Sequence, residues 1–191
     1  MEGGAAVAEI LFGEVNPSGK LPIVFPKRED QLFPFENKAL QVEYHGFHGY
    51  RWLDDKALEP LFPFGFGLSY TEFKFGNLRL AEKEISKSGK LTVSVEVANA
   101  GKVAGEEVVQ VYVGCLGSKV PRPKKELKAF ARIKLDPGEK KTVSLEIPAS
   151  DLAYYDVASS AWVVEPIEYQ VLAGPSSRDS DLLKDKFKIL A

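Results

Sequence analysis

The segment Tyr44-His45-Gly46-Phe47-His48-Gly49-Tyr50-Arg51-Trp52 gathers the side chains best suited to chemistry in this 191-residue chain. Aromatic faces stack on sugar rings, and imidazole, guanidinium and indole N–H groups supply directed hydrogen bonds. His45, His48, Tyr50, Arg51 and Trp52 are therefore candidates for the rim of a substrate pocket. The competing reading is that the same cluster packs between domains. Arg51 is followed by Asp54 and Asp55, which reads as local ion pairing worth under about 1 kcal/mol if exposed. Neither histidine has a Ser or Cys nearby in a nucleophile motif, so a hydrolase triad fits poorly.

Other chemistries find less support. Two histidines and one cysteine, without C-x-x-C spacing, imply no metal site. No cofactor motif appears. Cys115 ends an apolar alternating run, where an inert, half-buried thiol is expected. Asp and Glu are abundant, but they fall in turns (Asp136, Glu139, Asp151) or at polar strand positions (Glu96, Glu146), where water keeps them ordinary. A formal net charge of -2 gives no field for nucleic acid. The lysine pairs near Lys124 and Lys140 read as solvated edges or turns. No run is long enough to span a bilayer, and the N-terminus lacks the basic and apolar regions of a secretory signal, so the chain as given reads as soluble.

Candidate residues need elements to hold them. Val7, Ile10 and Leu11 recur at helical spacing over 4–12, with Gly13 as C-cap. After the turn Asn16-Pro17-Ser18-Gly19, the segment Leu21-Pro22-Ile23-Val24-Phe25 reads as a short edge strand closed by Pro26. One helix and one strand cannot cover both of their own faces, so this α/β unit (1–26) lacks a layer. From Lys27 to Asp55 periodicity fails, which predicts an irregular linker. Strict alternation follows: Leu91, Val93, Val95 and Val97, then Val109, Val111 and Val113, then Val143, Leu145 and Ile147 each line one face of a strand. Shorter candidates lie at 73–80, 130–135, 162–165, 169–173 and 187–190. Together they predict an immunoglobulin-like antiparallel β-sandwich over 72–191 with Greek-key connections. Ser150 is expected to cap a one-turn helix, and Tyr154 or Tyr155 to form a corner hydrogen bond or a plain core contact. The loop Pro121-Arg122-Pro123-Lys124-Lys125 reads as rigid, basic and exposed, either an ordinary connection or a partner-facing contact.

Between linker and sandwich stands Pro60-Leu61-Phe62-Pro63-Phe64-Gly65-Phe66-Gly67-Leu68-Ser69-Tyr70-Thr71. Its prolines and glycines defeat helix and central strand alike. Its large apolar groups must then be buried by tertiary packing, and Phe62, Phe64, Phe66 and Tyr70 are the expected interdomain contacts of a joint spanning 27–71.

This joint, with Asn16-Pro17-Ser18-Gly19-Lys20-Leu21-Pro22 and Gly49-Tyr50-Arg51, resembles the C-terminal part of the family 3 glycoside hydrolases, the β-glucosidase and β-xylosidase family. Downstream, Asn99-Ala100-Gly101, the run Gly105 to Val113, Pro121-Arg122-Pro123, Glu126 to Phe130, Leu135 to Glu139 and Tyr154-Tyr155-Asp156 resemble that family's fibronectin type III-like domain. The likeness covers nearly the whole chain. One departure stands out: His-Gly-Phe-His precedes Gly49-Tyr50-Arg51 where many members carry a Glu.

The resemblance implies that Glu2 to Ala8 corresponds to an internal helix of the hydrolase core, so the chain reads as a fragment of a longer protein. A glycosidase needs two carboxylates roughly 5 to 9 Å apart. The family's nucleophilic aspartate lies in a barrel domain upstream and its acid/base in the second domain, so the resemblance implies no catalytic residue here. The expected role is a non-catalytic structural module whose partners are the remaining domains of the parent, a protein expected to be secreted or periplasmic. The alternative is a carbohydrate-binding or adhesion module with oligosaccharide as ligand, distinguished by exposed Trp and Tyr in a coplanar row.

Overall fold

The computed structural model describes residues 2–43 and 46–191; of the candidate rim, His45 lies outside them. Helix α1 spans Gly3–Leu11 and stops where Gly13, at φ +79°, turns the chain out of the helix. Its apolar side chains Val7, Leu11 and Phe12 are exposed. The expected strand over 21–25 does not form. Leu21 exchanges backbone hydrogen bonds with Phe66 and Gly65, and Phe25 with Phe62 and Leu61, leaving one isolated antiparallel bridge, Phe25 to Phe62. Pro22 and Pro63 have no N–H to donate, and the ladder breaks between the two contacts.

The linker is less irregular than its pattern suggests. It holds a 3₁₀ turn, Glu29–Gln31, and a second helix, α2, Tyr50–Asp55. Six residues are too few to display a helical period, so α2 left no trace in the sequence pattern.

The sandwich that follows is the expected one. One sheet has the order β1 (Phe73–Leu80), β3 (Lys90–Asn99) and β6 (Lys140–Pro148). The other runs β2 (Glu84–Ile85), β10 (Leu183–Ile189), β9 (Glu168–Gly174), β4 (Gly105–Leu116) and β5 (Glu126–Leu135). All pairings are antiparallel except the short one between β2 and β10. Leu91, Val93, Val95, Val97, Val143 and Ile147 of the first sheet form one buried cluster with Val109, Val111, Val113, Tyr169, Val171, Phe187 and Ile189 of the second. Each such side chain contributes about 1.5–3 kcal/mol on leaving water. A separate two-stranded hairpin, β7 (Tyr154–Asp156) and β8 (Ala161–Val163), joins neither sheet.

Three local expectations change. Ser150 sits inside the 3₁₀ turn Ala149–Leu152, whose N-cap is Pro148, and gives no capping bond. The corner tyrosine is Tyr169, second residue of β9, whose hydroxyl donates to the Glu165 carbonyl at 2.9 Å. Tyr154 instead lies beneath the Arg122 guanidinium. On β4, Gln110 and Tyr112 are buried along with the valines. This strand is therefore covered on both faces, and the second cover is the joint.

Candidate functional site

Gly49, at φ +60°, opens α2 and sets the direction of the predicted rim. Tyr50 turns inward: its ring stacks on Phe64 at 4.9 Å and meets Tyr112 edge to face at 6.1 Å, while its hydroxyl accepts the Leu127 N–H at 3.0 Å. Arg51 does not pair locally. Its guanidinium lies 3.4 Å from Glu126 on β5, 75 positions onward. Trp52 is half-buried, its indole N–H donating to the Gln31 carbonyl at 3.1 Å, its ring against Phe33 and beneath the Lys56 ammonium. His48 is exposed and apart from these contacts. The three central residues of the candidate rim thus direct their polar groups at this chain itself, toward the sandwich and Gln31.

Asp54, one turn beyond Tyr50, completes the contact. Lys125 Nζ lies 2.7 Å from Asp54 Oδ2 and 3.0 Å from Asp179 Oδ1. The Asp54 contact is close but poorly directed for a hydrogen bond, and Oδ2 has no other partner among the described residues. Burial pushes the Asp54 carboxyl above the usual range; the adjoining Lys125 ammonium pulls it back without restoring it, and Asp179 adds to the rise. Lys125 is buried, as is most of Arg122, so the loop read as solvated is a strap pinned at both ends. Arg122 donates to the Leu152 carbonyl at 3.1 Å. Its sequence signal was misleading, because local composition cannot report cover that arrives from residues 50–54 and 179.

The joint itself divides. Pro63 and Gly65 are buried, and Phe64 enters a second cluster with Tyr112, Leu172 and Leu182 on the outer face of the five-stranded sheet. Gly65, at φ +77°, brings its carbonyl to the Gln110 amide at 3.1 Å; the same amide nitrogen donates to the Pro175 carbonyl, and Gln110 Oε1 accepts the Tyr112 hydroxyl at 2.6 Å. Tyr112 is consequently held neutral far into the alkaline range, by burial first and then by Tyr50 and Asp54 nearby. Phe66 is half-buried, with Phe62 tilted over it at 5.1 Å. Phe62 and Tyr70, expected as interdomain contacts, are exposed in this chain, as are Leu61 and Leu68. Tyr70 still spends its hydroxyl on the Ile10 carbonyl of α1 at 2.6 Å.

Sequence reasoning missed the polar fasteners. Asn16 donates to the Ala104 carbonyl and accepts from the Ser69 hydroxyl and the Tyr70 N–H. Lys20 pairs with Glu107 at 2.6 Å, both nearly buried. Asn16 and Lys20 belong to one turn motif, which was the available signal.

A cleft of about 350 Å³ lies beside α2, with Asp54, Glu59 and Asp179 among its lining carboxylates. Asp54 and Asp179 share the Lys125 ammonium, and Glu59 pairs with Lys27. Cys115 is half-buried and its thiol pushed up by burial, so it is a poor nucleophile. Trp162 is exposed, so the two tryptophans divide between packing and solvent. No helix among the described residues is long and apolar enough to cross a membrane.

Comparison with known proteins agrees with this anatomy. Residues 1–70 match the glycosyl hydrolase family 3 C-terminal domain and residues 107–177 the fibronectin type III-like domain. The chain is 44% identical over 191 aligned residues to thermostable β-glucosidase B of Acetivibrio thermocellus, covering 97% of this chain and 25% of that protein. It is 44% identical to a β-xylosidase of Formosa agariphila, covering 95% and 25%. Among solved structures, β-glucosidase 3B of Thermotoga neapolitana superposes with a TM-score of 0.88 at 40% identity, over 100% of this chain and 27% of that one. The chain thus spans about a quarter of the length of these relatives. With both models matched in order and the α1-to-joint segment fastened to the sandwich, the chain belongs to the C-terminal region of the family 3 glycoside hydrolases.

Proposed function

We propose that this chain is a non-catalytic brace of a β-glucosidase-like protein, in which residues 72–191 seat the preceding segments 1–26 and 27–71 against the remaining domains. The observation that carries this reading is the two-sidedness of the joint. Its inner side is fixed by the Gln110, Asn16 and Lys125 contacts, while the segments 1–26 and 27–71 leave Val7, Leu11, Phe12, Phe25, Leu61 and Leu68 exposed. Apolar groups left exposed on an ordered scaffold ask for another layer. The parent reaction would be hydrolysis of terminal β-glycosidic bonds, with its carboxylates supplied upstream. The ion-paired state of Asp54, Asp179 and Glu59 supports leaving catalysis out of this chain.

The test uses a full-length relative such as the Acetivibrio enzyme, with the region matching 72–191 deleted. A fall in melting temperature, with activity lost by unfolding, is expected. Unchanged stability and kinetics would refute the brace. Separately, this chain should show no turnover of an aryl β-glucoside.

A further inference from the structure

An aromatic pair that the sandwich leaves open stands on the β7–β8 hairpin. Trp162 is 73% exposed, Tyr155 50% and Val157 81%. Leaving an indole in water forgoes the stabilisation its burial would give, and clustered exposure of this kind marks a contact surface. The surface is ordered before anything binds. Tyr155 pairs with Trp162 across the hairpin, and their rings meet edge to face at 5.6 Å and 71°. Asp156 clamps the connecting turn, accepting from the Ala158 and Ser159 N–H groups and from the Ser159 hydroxyl at 2.6 Å. The rings are near-perpendicular and so are not the coplanar row expected of a carbohydrate-binding module; one can serve as a floor and the other as a wall.

We propose that this hairpin is a stacking platform for a β-linked oligosaccharide, with Trp162 as the floor and Tyr155 as the buttress. A pyranose whose hydroxyls are all equatorial offers a flat C–H face to an indole and a rim of hydroxyls to the polar groups around it. Here the rim would meet the Tyr155 hydroxyl and the Ser159–Ser160 turn. A separate protein partner would need about 800 Å² on each side, of which two aromatic side chains at about 150–250 Å² each supply only part; a surface meant for the parent's other domains would instead show as a Trp162 resonance that no sugar moves. A membrane surface would call for basic flanks, whereas the turn carries Asp156. The choice of gluco- and xylo-configured probes rests on the β-glycosidase parentage proposed above; the platform geometry does not.

The two indoles can be followed separately by NMR, because the Trp52 N–H is bonded to Gln31 and lies elsewhere in the fold. Titrating the whole chain with cellohexaose or xylohexaose should shift the Trp162 indole resonance saturably and leave that of Trp52 in place. Trp162→Ala should weaken binding about tenfold or more, as loss of one stacked ring implies, with the melting temperature unchanged. The α-linked maltohexaose should bind more weakly. A motionless Trp162 signal, equal response to maltohexaose, or undiminished binding by the variant would overturn the platform. If the variant fails to fold, the wild-type titration still decides, since it reads Trp162 directly. Because the measurement uses this chain alone, its failure leaves the brace to its own deletion test.

Discussion

Lys125 Nζ sits 2.7 Å from Asp54 Oδ2, joining the strap before β5 to helix α2. The two partners are unequal: Lys125 is almost fully enclosed and keeps Asp179 at 3.0 Å, whereas Asp54 is held ionised against its own desolvation. Lys125→Met should therefore destabilise by about 3 kcal/mol, because it strands a half-buried carboxylate. Asp54→Asn should change stability by under about 1 kcal/mol, since it removes a charge that burial already opposes. Denaturant midpoints at constant m-value read both. Equal losses would sink the asymmetry.

The same carboxyl fixes the sign of a pH effect. Its folded pKa lies above the unfolded one, so the folded state holds the proton more tightly and this group adds stability as pH falls through that window. Asp185, beside Lys83, and Glu139, bonded to the Asp136 N–H, are lowered and act in the opposite direction, losing stability as pH falls. Asp54→Asn should thus leave a chain whose stability declines more steeply on acidification than the parent's. Parallel curves for both proteins between neutral and acid pH would contradict this.

Gly65 allows no side chain. An added Cβ would enter the van der Waals shell of the Gln110 amide group, at a φ of +77° that L-residues rarely adopt. Gly65→Ala should cost about 2–4 kcal/mol from backbone strain and overpacking together. In a Gly65→Ala, Gln110→Ala double mutant the clash disappears, and the combined loss should be smaller than the sum of the singles. Strict additivity would show that Gln110 is not the obstacle.

What the sequence made legible follows from how far away each side chain's environment lies. Leu91 to Val97 alternate because a strand sees its own two faces, and the pattern reports them directly. Gln110 and Tyr112 look like a solvent face by the same rule, yet Phe64 and Gly65 cover them from some 45 positions upstream. Lys125 misled for that reason also. Strands β2 and β7, at two and three residues, are shorter than any period that could announce them. The candidate rim was legible as a contact surface through Tyr50, Arg51 and Trp52, but not in which direction it faces.

Tyr169, not Tyr154 or Tyr155, makes the corner bond of this sandwich. A tyrosine near the start of the penultimate sandwich strand, bonding back a few residues, is the position where such a corner belongs, whereas Tyr154 and Tyr155 follow the 3₁₀ turn into a hairpin that joins neither sheet. The Tyr169 hydroxyl donates to the Glu165 carbonyl, and the Glu165 carboxylate in turn binds the Ser118 hydroxyl and the Lys119 N–H. Removing the hydroxyl leaves that buried carbonyl without this donor, so Tyr169→Phe should cost about 1–2 kcal/mol. Burial, with Cys115 and Glu165 adding, pushes the phenol up to about 12. Its folded pKa exceeds the unfolded value of about 10, so the stability it contributes is complete below pH ~10 and is lost as pH rises toward 12. The Phe variant lacks this loss, and the gap between the two proteins should narrow across that alkaline window. A gap that stays constant would mean that the Tyr169 phenol is not held in its protonated form by the fold.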